Sequence, residues 1–246
     1  VKVAVCLSGH FRTFSDCKKS FLDQIDNPYQ PDIFIHTWDE LGYSRNGNYH
    51  NINERTKEII DKNKNFGCSL VEFMRDCGEI DKTLYDDLNI KDIVIENYED
   101  VEPLILEKAS RVKNKYEMDH PPNFISSQRK AYLCNELKKN YESKNNFEYD
   151  IVIKCRPDLY YNYINLDLNT TVLNTPIAQS YGTISDIFAY SNSKIMNQYC
   201  SLFEKMDGYI EENIHFNPHI LLLHHIETIG IPYIKDHNIN LDIFKI

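Results

Sequence analysis

Apolar residues along the chain come in short blocks of period two or in continuous runs, each followed by polar, glycine-containing turns and then by stretches of helical period. The first block, Lys2-Val3-Ala4-Val5-Cys6-Leu7, is continuously apolar after Lys2, the pattern of a strand covered on both faces. It runs into Ser8-Gly9-His10-Phe11-Arg12-Thr13, and a helix is expected from about Phe14 to Ile25. A second strand, Pro31 to Asp39, ends in His36, Trp38 and Asp39. Asp92–Glu96 reads as a strand and Val101–Lys113 as a helix. A helix from roughly Asn123 to Glu142 is preceded by Pro121-Pro122, with Pro122 in the first turn, where its missing N–H costs nothing.

Ile151-Val152-Ile153 is β-branched and too short for a helix, so it is a buried strand. Its carboxyl end alternates charged and uncharged residues: Lys154, Arg156 and Asp158 share one side. Pro157 cannot donate to a sheet ladder, so the charged tip projects beyond the sheet. Further strands are expected at Pro176–Gln179, Asp186–Tyr190 and Pro232–Ile234, and helices at Ser193–Met206 and Phe216–Ile229. Residues 41–53 form a long polar loop, followed by short helices at Glu54–Lys62 and Glu79–Leu88; a second loop spans Tyr116–Asn123. Strands alternating with helices predict one α/β domain over residues 1–246, Rossmann-like, with a mostly parallel central sheet and helices on both faces.

Composition narrows the function. A net charge of −10 without a basic stripe argues against nucleic acid as a partner. No apolar run approaches membrane-spanning length. Val1 opens the first strand with no charged n-region or cleavage site before it, so no signal peptide is expected, and the lack of an initiator Met suggests a piece of a longer chain. Seven cysteines, with no C-x-x-C pair, fit neither a disulfide framework nor a structural zinc site and suggest reduced thiols in a cytoplasmic compartment. The sequon Asn169-Thr170-Thr171 is then a chance match.

In an open α/β sheet, ligands bind outside the carboxyl ends of the strands. The first strand's glycine turn and following helix make an anion-binding design, and Arg12 beside it can grip a diphosphate bidentately. Each candidate also has a structural reading. Trp38 is a crevice residue or a core plug. Lys130, on the apolar stripe of its helix, snorkels out or reaches the crevice, and Gln128 does likewise. Arg156 and Asp158 bind an anion or a metal, or form an ion pair closing a strand. Asp186, beside a glycine-containing loop, has the position of a turn cap.

Taken in order, Ser8-Gly9-x-x-Arg12, Asp32-Ile33-Phe34-Ile35-His36-Thr37-Trp38, the Ser127-Gln128 helix, Lys154-x-Arg156-x-Asp158-Leu159-Tyr160 and Ser185-Asp186-x-Phe188-Ala189 resemble a group of bacterial and large-DNA-virus enzymes. These are the polysaccharide and lipopolysaccharide glycosyltransferases of GT-A type, including the WavE-like group. The resemblance implies transfer of a sugar from a UDP- or GDP-linked donor to a glycan or other hydroxyl acceptor. It implies donor binding by Ser8, Gly9, Arg12, Gln128, Lys130, Arg156 and Asp158, substrate contacts from His36, Trp38 and Asp39, and Asp186 as catalytic base. It further implies Mn²⁺ or Mg²⁺, held by Asp158. Such enzymes usually carry Asp-x-Asp for the metal, and here Arg156 replaces the first aspartate. The family tends to have Pro-Glu where this chain has Pro218-His219, so the resemblance gives that position no role.

Two rivals remain. One is a non-catalytic glycan- or nucleotide-binding module on the same fold, favoured by the broken Asp-x-Asp. The other is a zinc hydrolase using His215, His219, His224 and His225. His215 and His219 have i, i+4 spacing, but the Glu of H-E-x-x-H is absent and Pro218 intervenes.

Overall fold

The computed structural model describes residues 1–11, 13–39, 82–116, 120–167, 170–177 and 183–243. Arg12, the loop expected over residues 41–53, the helix expected over Glu54–Lys62, Asn169 and the 181–182 turn lie outside the described residues, whereas the helix expected over Glu79–Leu88 is described from residue 82 and is a short 3-10 turn, Lys82–Tyr85.

A seven-stranded sheet has the order β3-β2-β1-β4-β7-β6-β8. Its strands are β1 (Val3–Ser8), β2 (Asp32–Trp38), β3 (Ile90–Glu96), β4 (Ile151–Cys155), β6 (Leu173–Pro176), β7 (Phe188–Ser191) and β8 (Tyr233–Asp236). β1 is parallel to β2 and β4, and β2 to β3. β7 is antiparallel to both β4 and β6, while β6 and β8 are parallel. The expected α/β fold with a mostly parallel sheet is therefore present. β7 runs backwards beside β4, and this sets the site: Cys155 at the carboxyl end of β4 pairs with Phe188 at the amino end of β7.

The period-two alternation of β1 sorts its side chains onto two cores. Ala4 and Cys6 join Phe34 and Val152 beneath α2 (Tyr98–Ser110), α3 (Pro121–Asn145), α4 (Ser193–Cys200), α5 (Leu202–Glu211) and α6 (Pro218–Thr228). Val3, Val5 and Leu7 join Ile33, Ile35 and Ile153 on the other face. That face is covered by α1 (Phe14–Phe21) and by a small antiparallel sheet, β5 (Leu159–Ile164) with β9 (Ile239–Ile243). Helices on both faces were expected. The second face is shared between a helix and this two-stranded sheet.

Several element bounds differ from the expectations, each for a local reason. The helix expected over Ser193–Met206 is two, α4 and α5, separated at Ser201. The helix after β1 continues past α1 through a wider turn, Leu22–Asp26, and Asn27–Tyr29, ending where Gln30 takes φ +46°. α3 starts at Pro121, with prolines in its first turn as expected, and ends where Asn146 adopts φ +58°. β5 and β9 were not foreseen. Leu159, Tyr161 and Ile164 are the buried residues of β5, but the tyrosine and asparagine content obscured the alternation. Among the described residues no helix is long and apolar enough to cross a membrane.

Candidate functional site

The carboxyl ends of β3, β2, β1 and β4 form one continuous rim, and its chemistry changes along it. At the β3 end a carboxylate, Glu96, organises three basic residues. Arg129 forks onto it through both terminal nitrogens, at 2.5 and 2.9 Å, and Lys130 Nζ donates at 2.8 Å. Lys130 Nζ also donates to the Thr37 carbonyl at 2.7 Å and stands over the Trp38 ring. His36 lies on the same carboxylate, Nδ1 to Oε2 4.0 Å. Burial alone would raise the Glu96 acid, but the Arg129 and Lys130 hydrogen bonds outweigh it and hold it down at about 2. Burial, reinforced by Lys130 and Arg129, pushes the His36 imidazolium down to about 3 against the pull of Glu96.

This hub corrects three expectations. Lys130 and Trp38 are fully buried and His36 nearly so. None presents a surface to a substrate or diphosphate, so their role is to tie α3 to β2 and β3. Lys130 occupies the stripe position expected of it, and it turns inward because Glu96, a carbonyl and an aromatic face all await it. Asp39 is partly exposed and accepts from Asn97 Nδ2 at 2.8 Å.

One strand along, β1 ends in Ser8 and Gly9. Gly9 takes φ +116°, a conformation that glycine alone adopts at little cost. Its N–H donates to the His36 carbonyl at 3.2 Å and its carbonyl accepts from Thr37 Oγ1 at 2.8 Å. The Gly9 N–H is thus bound to β2 and not offered to an anion, and Ser8 is buried. What the turn does provide is a close neighbour: a Cβ on Gly9 would meet Pro157 Cδ at 3.9 Å. Gly9 and the Arg156-Pro157-Asp158 tip are adjacent.

At that tip Arg156 grips Asp158 with Nε to Oδ1 at 2.8 Å and a terminal nitrogen to Oδ2 at 2.5 Å. Asp158 is buried, while a quarter of the Arg156 side chain reaches the surface. Burial works against the guanidinium's charge, and Asp158 with Asp186 overrides it and raises its pKa. Both oxygens of Asp158 are therefore engaged, and no group of three metal-ligating side chains occurs among the described residues. As placed, Asp158 does not fit the metal-ligand role; a cation there would first have to displace Arg156.

Antiparallel β7 brings Asp186 to the same place, two residues ahead of its first strand residue. Lys154 Nζ, fully buried, donates to the Asp186 carbonyl oxygen. Burial pushes the Lys154 ammonium down, and the Asp186 charge opposes it. The period-two argument put Lys154, Arg156 and Asp158 on one side, and all three do converge there, Lys154 as a buried strut and Arg156 as the reachable cation.

Sequence reasoning set aside the residue that completes the group. His219 is the second residue of α6, whose start is capped by Asn217 Oδ1 accepting from the His219 and Ile220 N–H groups at 3.1 and 3.4 Å. Its Nδ1 is 2.9 Å from the Ile184 carbonyl and 3.8 Å from Asp186 Oδ1. The i, i+4 spacing with His215 was a distraction, because α6 begins at Pro218 and leaves His215 outside the helix. There His215 packs against Tyr116, ring centroids 4.1 Å apart and tilted by 58°, and pairs with Asn114 at 2.9 Å. His225 is buried, bonded to Tyr209 Oη and the Gln198 carbonyl. The legible signal was Asn217-Pro218-His219, a helix start that fixes an imidazole at its first turn.

Gln128, another expected donor-binding residue, is buried on α3, and among the described residues its Nε2 has no hydrogen-bond partner.

With this geometry in hand, comparison with known proteins is informative at the level of fold. Core-mannan synthase A from Aspergillus fumigatus, in its Mn/GDP form, superposes with a TM-score of 0.50 over 98% of this chain and 74% of its own, at 8% identity. The fold is that of the GT-A glycosyltransferases. Mouse xyloside xylosyltransferase 1 (apo) matches with a TM-score of 0.43 at 8% identity, over 96% of this chain and 84% of that one. The galactosyltransferase LgtC, complexed with donor and acceptor sugar analogues, gives 0.41 at 12%, over 95% and 73%. No protein-family model and no curated protein sequence matches the chain.

Proposed function

We propose that this GT-A-like protein is a glycosyltransferase that moves a sugar from a nucleotide-diphosphate donor to a hydroxyl acceptor. The observation that carries the reading is the meeting of Arg156, Asp186 and His219 at the carboxyl end of β4, beside the Gly9 turn. Breaking a sugar–phosphate bond leaves negative charge on the diphosphate, and fixed positive charge there is the protein's main contribution to the rate. Arg156 is the reachable cation. Its fork toward Asp158 holds the guanidinium plane in place, so that little side-chain entropy remains to be lost on binding.

The acceptor hydroxyl needs a group within hydrogen-bond reach to take its proton. Asp186 and the imidazole beside it supply one. Arg12, placed by sequence next to the Gly9 turn, is assigned to the diphosphate as a second cation. UDP and GDP are both candidate carriers, and the GDP of the mannan synthase structure supports the diphosphate class. The acceptor is assigned to the glycan class by the resemblance alone, as are the polysaccharide-building context and the cytoplasmic setting. A WavE-like affiliation rests on the ordered motifs.

Mn²⁺ or Mg²⁺ enters this reading only with Asp158 released from Arg156. No step of the proposed reaction is routed through it, and the charge at the leaving group is given to Arg156.

The same Arg156–Asp158 clamp favours a second reading, a non-catalytic module that binds a glycan or nucleotide. Incubating the protein with a panel of UDP- and GDP-sugars, and measuring both donor hydrolysis and transfer, decides between them. Turnover of at least one donor is expected. Saturable nucleotide binding with no turnover across the panel would leave the binding module.

A further inference from the structure

The glycosyl-transfer reading leaves open which atom of the Asp186–His219 pair receives the acceptor's proton and what happens at the sugar's anomeric carbon. Resting on that reading, we infer that His219 Nε2 is the proton acceptor, with Asp186 as its positioning residue, and that transfer inverts the anomeric configuration.

The tautomer follows from the contact at the other nitrogen. His219 Nδ1 is 2.9 Å from the Ile184 carbonyl oxygen. A carbonyl oxygen can only accept, so in the neutral ring Nδ1 carries the hydrogen and donates it. The lone pair is then on Nε2, and among the described residues nothing is hydrogen-bonded to that atom. Accessibility favours the imidazole over the carboxylate. The His219 side chain is 37% exposed and that of Asp186 14%, so the imidazole is the member of the pair an acceptor reaches more readily.

Asp186 Oδ1 lies 3.8 Å from Nδ1, close enough to stabilise positive charge on the ring as Nε2 takes up a proton. The arrangement has the logic of a base whose other nitrogen is oriented and charge-compensated by an acid behind it. Backbone geometry keeps it rigid: Pro218 and the Asn217 cap fix the first turn of α6.

The step balances as a single displacement. The acceptor oxygen forms a bond to the anomeric carbon while its proton passes to Nε2. The bond from that carbon to the diphosphate oxygen breaks, and its electron pair leaves on the diphosphate, facing Arg156. A base on the acceptor's side permits attack opposite the leaving group, which inverts the centre. Retention would arise either by two displacements, which need an exposed carboxylate to form a covalent intermediate, or by attack on the leaving-group face, where the departing diphosphate itself takes the acceptor's proton and a protein base has no part. Of the two carboxylates at the tip, Asp158 is held on both oxygens by Arg156 and the Asp186 side chain is largely buried.

The test uses a donor found active with the wild type and compares His219→Ala with it. Donor affinity, measured by titration, should be unchanged and reports that the variant is folded. Transfer to a hydroxyl acceptor should fall roughly 10²–10⁴-fold, the usual scale for a positioned base. Azide has no proton to lose, so its capture of the sugar should proceed at the wild-type rate in the variant. Free imidazole should restore part of the transfer to hydroxyls. NMR of the wild-type product should show the anomer opposite to the donor's. Near-normal hydroxyl transfer by His219→Ala, equal losses for azide and hydroxyl acceptors, or a product of retained configuration would each overturn the inference while leaving glycosyl transfer intact. A wild type that turns over no nucleotide sugar overturns the underlying reading, and this inference with it.

Discussion

The Lys130 ammonium lies 3.3 Å from the centroid of the Trp38 ring, in contact with an aromatic face while it donates to the Thr37 carbonyl and to Glu96. A desolvated cation over an indole gains about 2 kcal/mol from that contact. It also needs its carboxylate, because a buried charge without a partner is costly. Burial still pulls the ammonium down to about 7, with Glu96 resisting.

Removing the carboxylate is therefore expected to cost more than removing the lysine. Glu96→Gln strands both Arg129 and Lys130 and should destabilise the fold by about 3–5 kcal/mol in chemical denaturation. Lys130→Met leaves Glu96 in its fork with Arg129 and should cost less. Equal stability of Glu96→Gln and wild type would remove the hub as the tie between α3 and the sheet.

Acid should weaken the fold in two windows. His36 is held neutral down to about pH 3 by burial and by Lys130 and Arg129, whereas in the unfolded chain it takes up its proton near 6.5. Below pH 6.5 the unfolded state binds one more proton than the folded state, so stability should fall by about 1.4 kcal/mol per pH unit from this group. Glu96 works in the window below: its folded acid is depressed from 4.5 to about 2, so its contribution is complete above 4.5 and is lost as pH falls toward 2. Urea denaturation as a function of pH checks both. His36→Gln should flatten the upper window and leave the lower one, and an unchanged profile would refute the assignment.

Gly9→Ala isolates a backbone effect. The added Cβ meets nothing closer than Pro157 Cδ at 3.9 Å, an ordinary contact, so the strain comes from φ +116°. A loss of about 1–3 kcal/mol is expected in thermal or chemical unfolding. A neutral substitution would mean that the turn relaxes away from this conformation.

Arg156→Lys tests the reachable cation. Lysine keeps a charge but has no fork, so the grip on Asp158 and the fixed guanidinium plane are lost together. Affinity for UDP or GDP should drop roughly tenfold or more, the scale of a charge-assisted hydrogen bond. Unchanged affinity would take Arg156 out of the donor site.

Excess EDTA examines the same clamp from the other side. With both oxygens of Asp158 held by Arg156, wild-type transfer is expected to persist when divalent ions are chelated. Activity abolished by EDTA and restored by Mn²⁺ would mean that Asp158 leaves Arg156 to bind metal during the reaction.

Much of the architecture was legible along the chain because it rests on local pattern. The buried runs of β1, β2 and β4, the proline-started α3 and the charged tip after Ile153 follow from periodicity and from proline's missing donor, and each depends on residues adjacent in sequence. The order of the motifs along the chain pointed to a GT-A-like fold through the family resemblance it carries. The direction of β7 was decided only in three dimensions, and with it the placement of Asp186 beside Arg156, since strand order depends on which buried faces find each other. The roles of Lys130 and His36, and the choice between the two readings of Trp38, were also beyond the sequence. A lysine on an apolar stripe points outward unless a carboxylate, a carbonyl and an aromatic face converge on it, and those come from β2 and β3, 93 and 34 residues away along the chain for Thr37 and Glu96. His219 shows the reverse case: its spacing from His215 suggested a metal pair, but the helix start at Pro218 separated them and the fold delivered Ile184 and Asp186 in their place. Sequence supplies the chemical groups and their local geometry, whereas the partners that set a group's charge, tautomer and reach are brought by tertiary packing, because they come from segments distant along the chain.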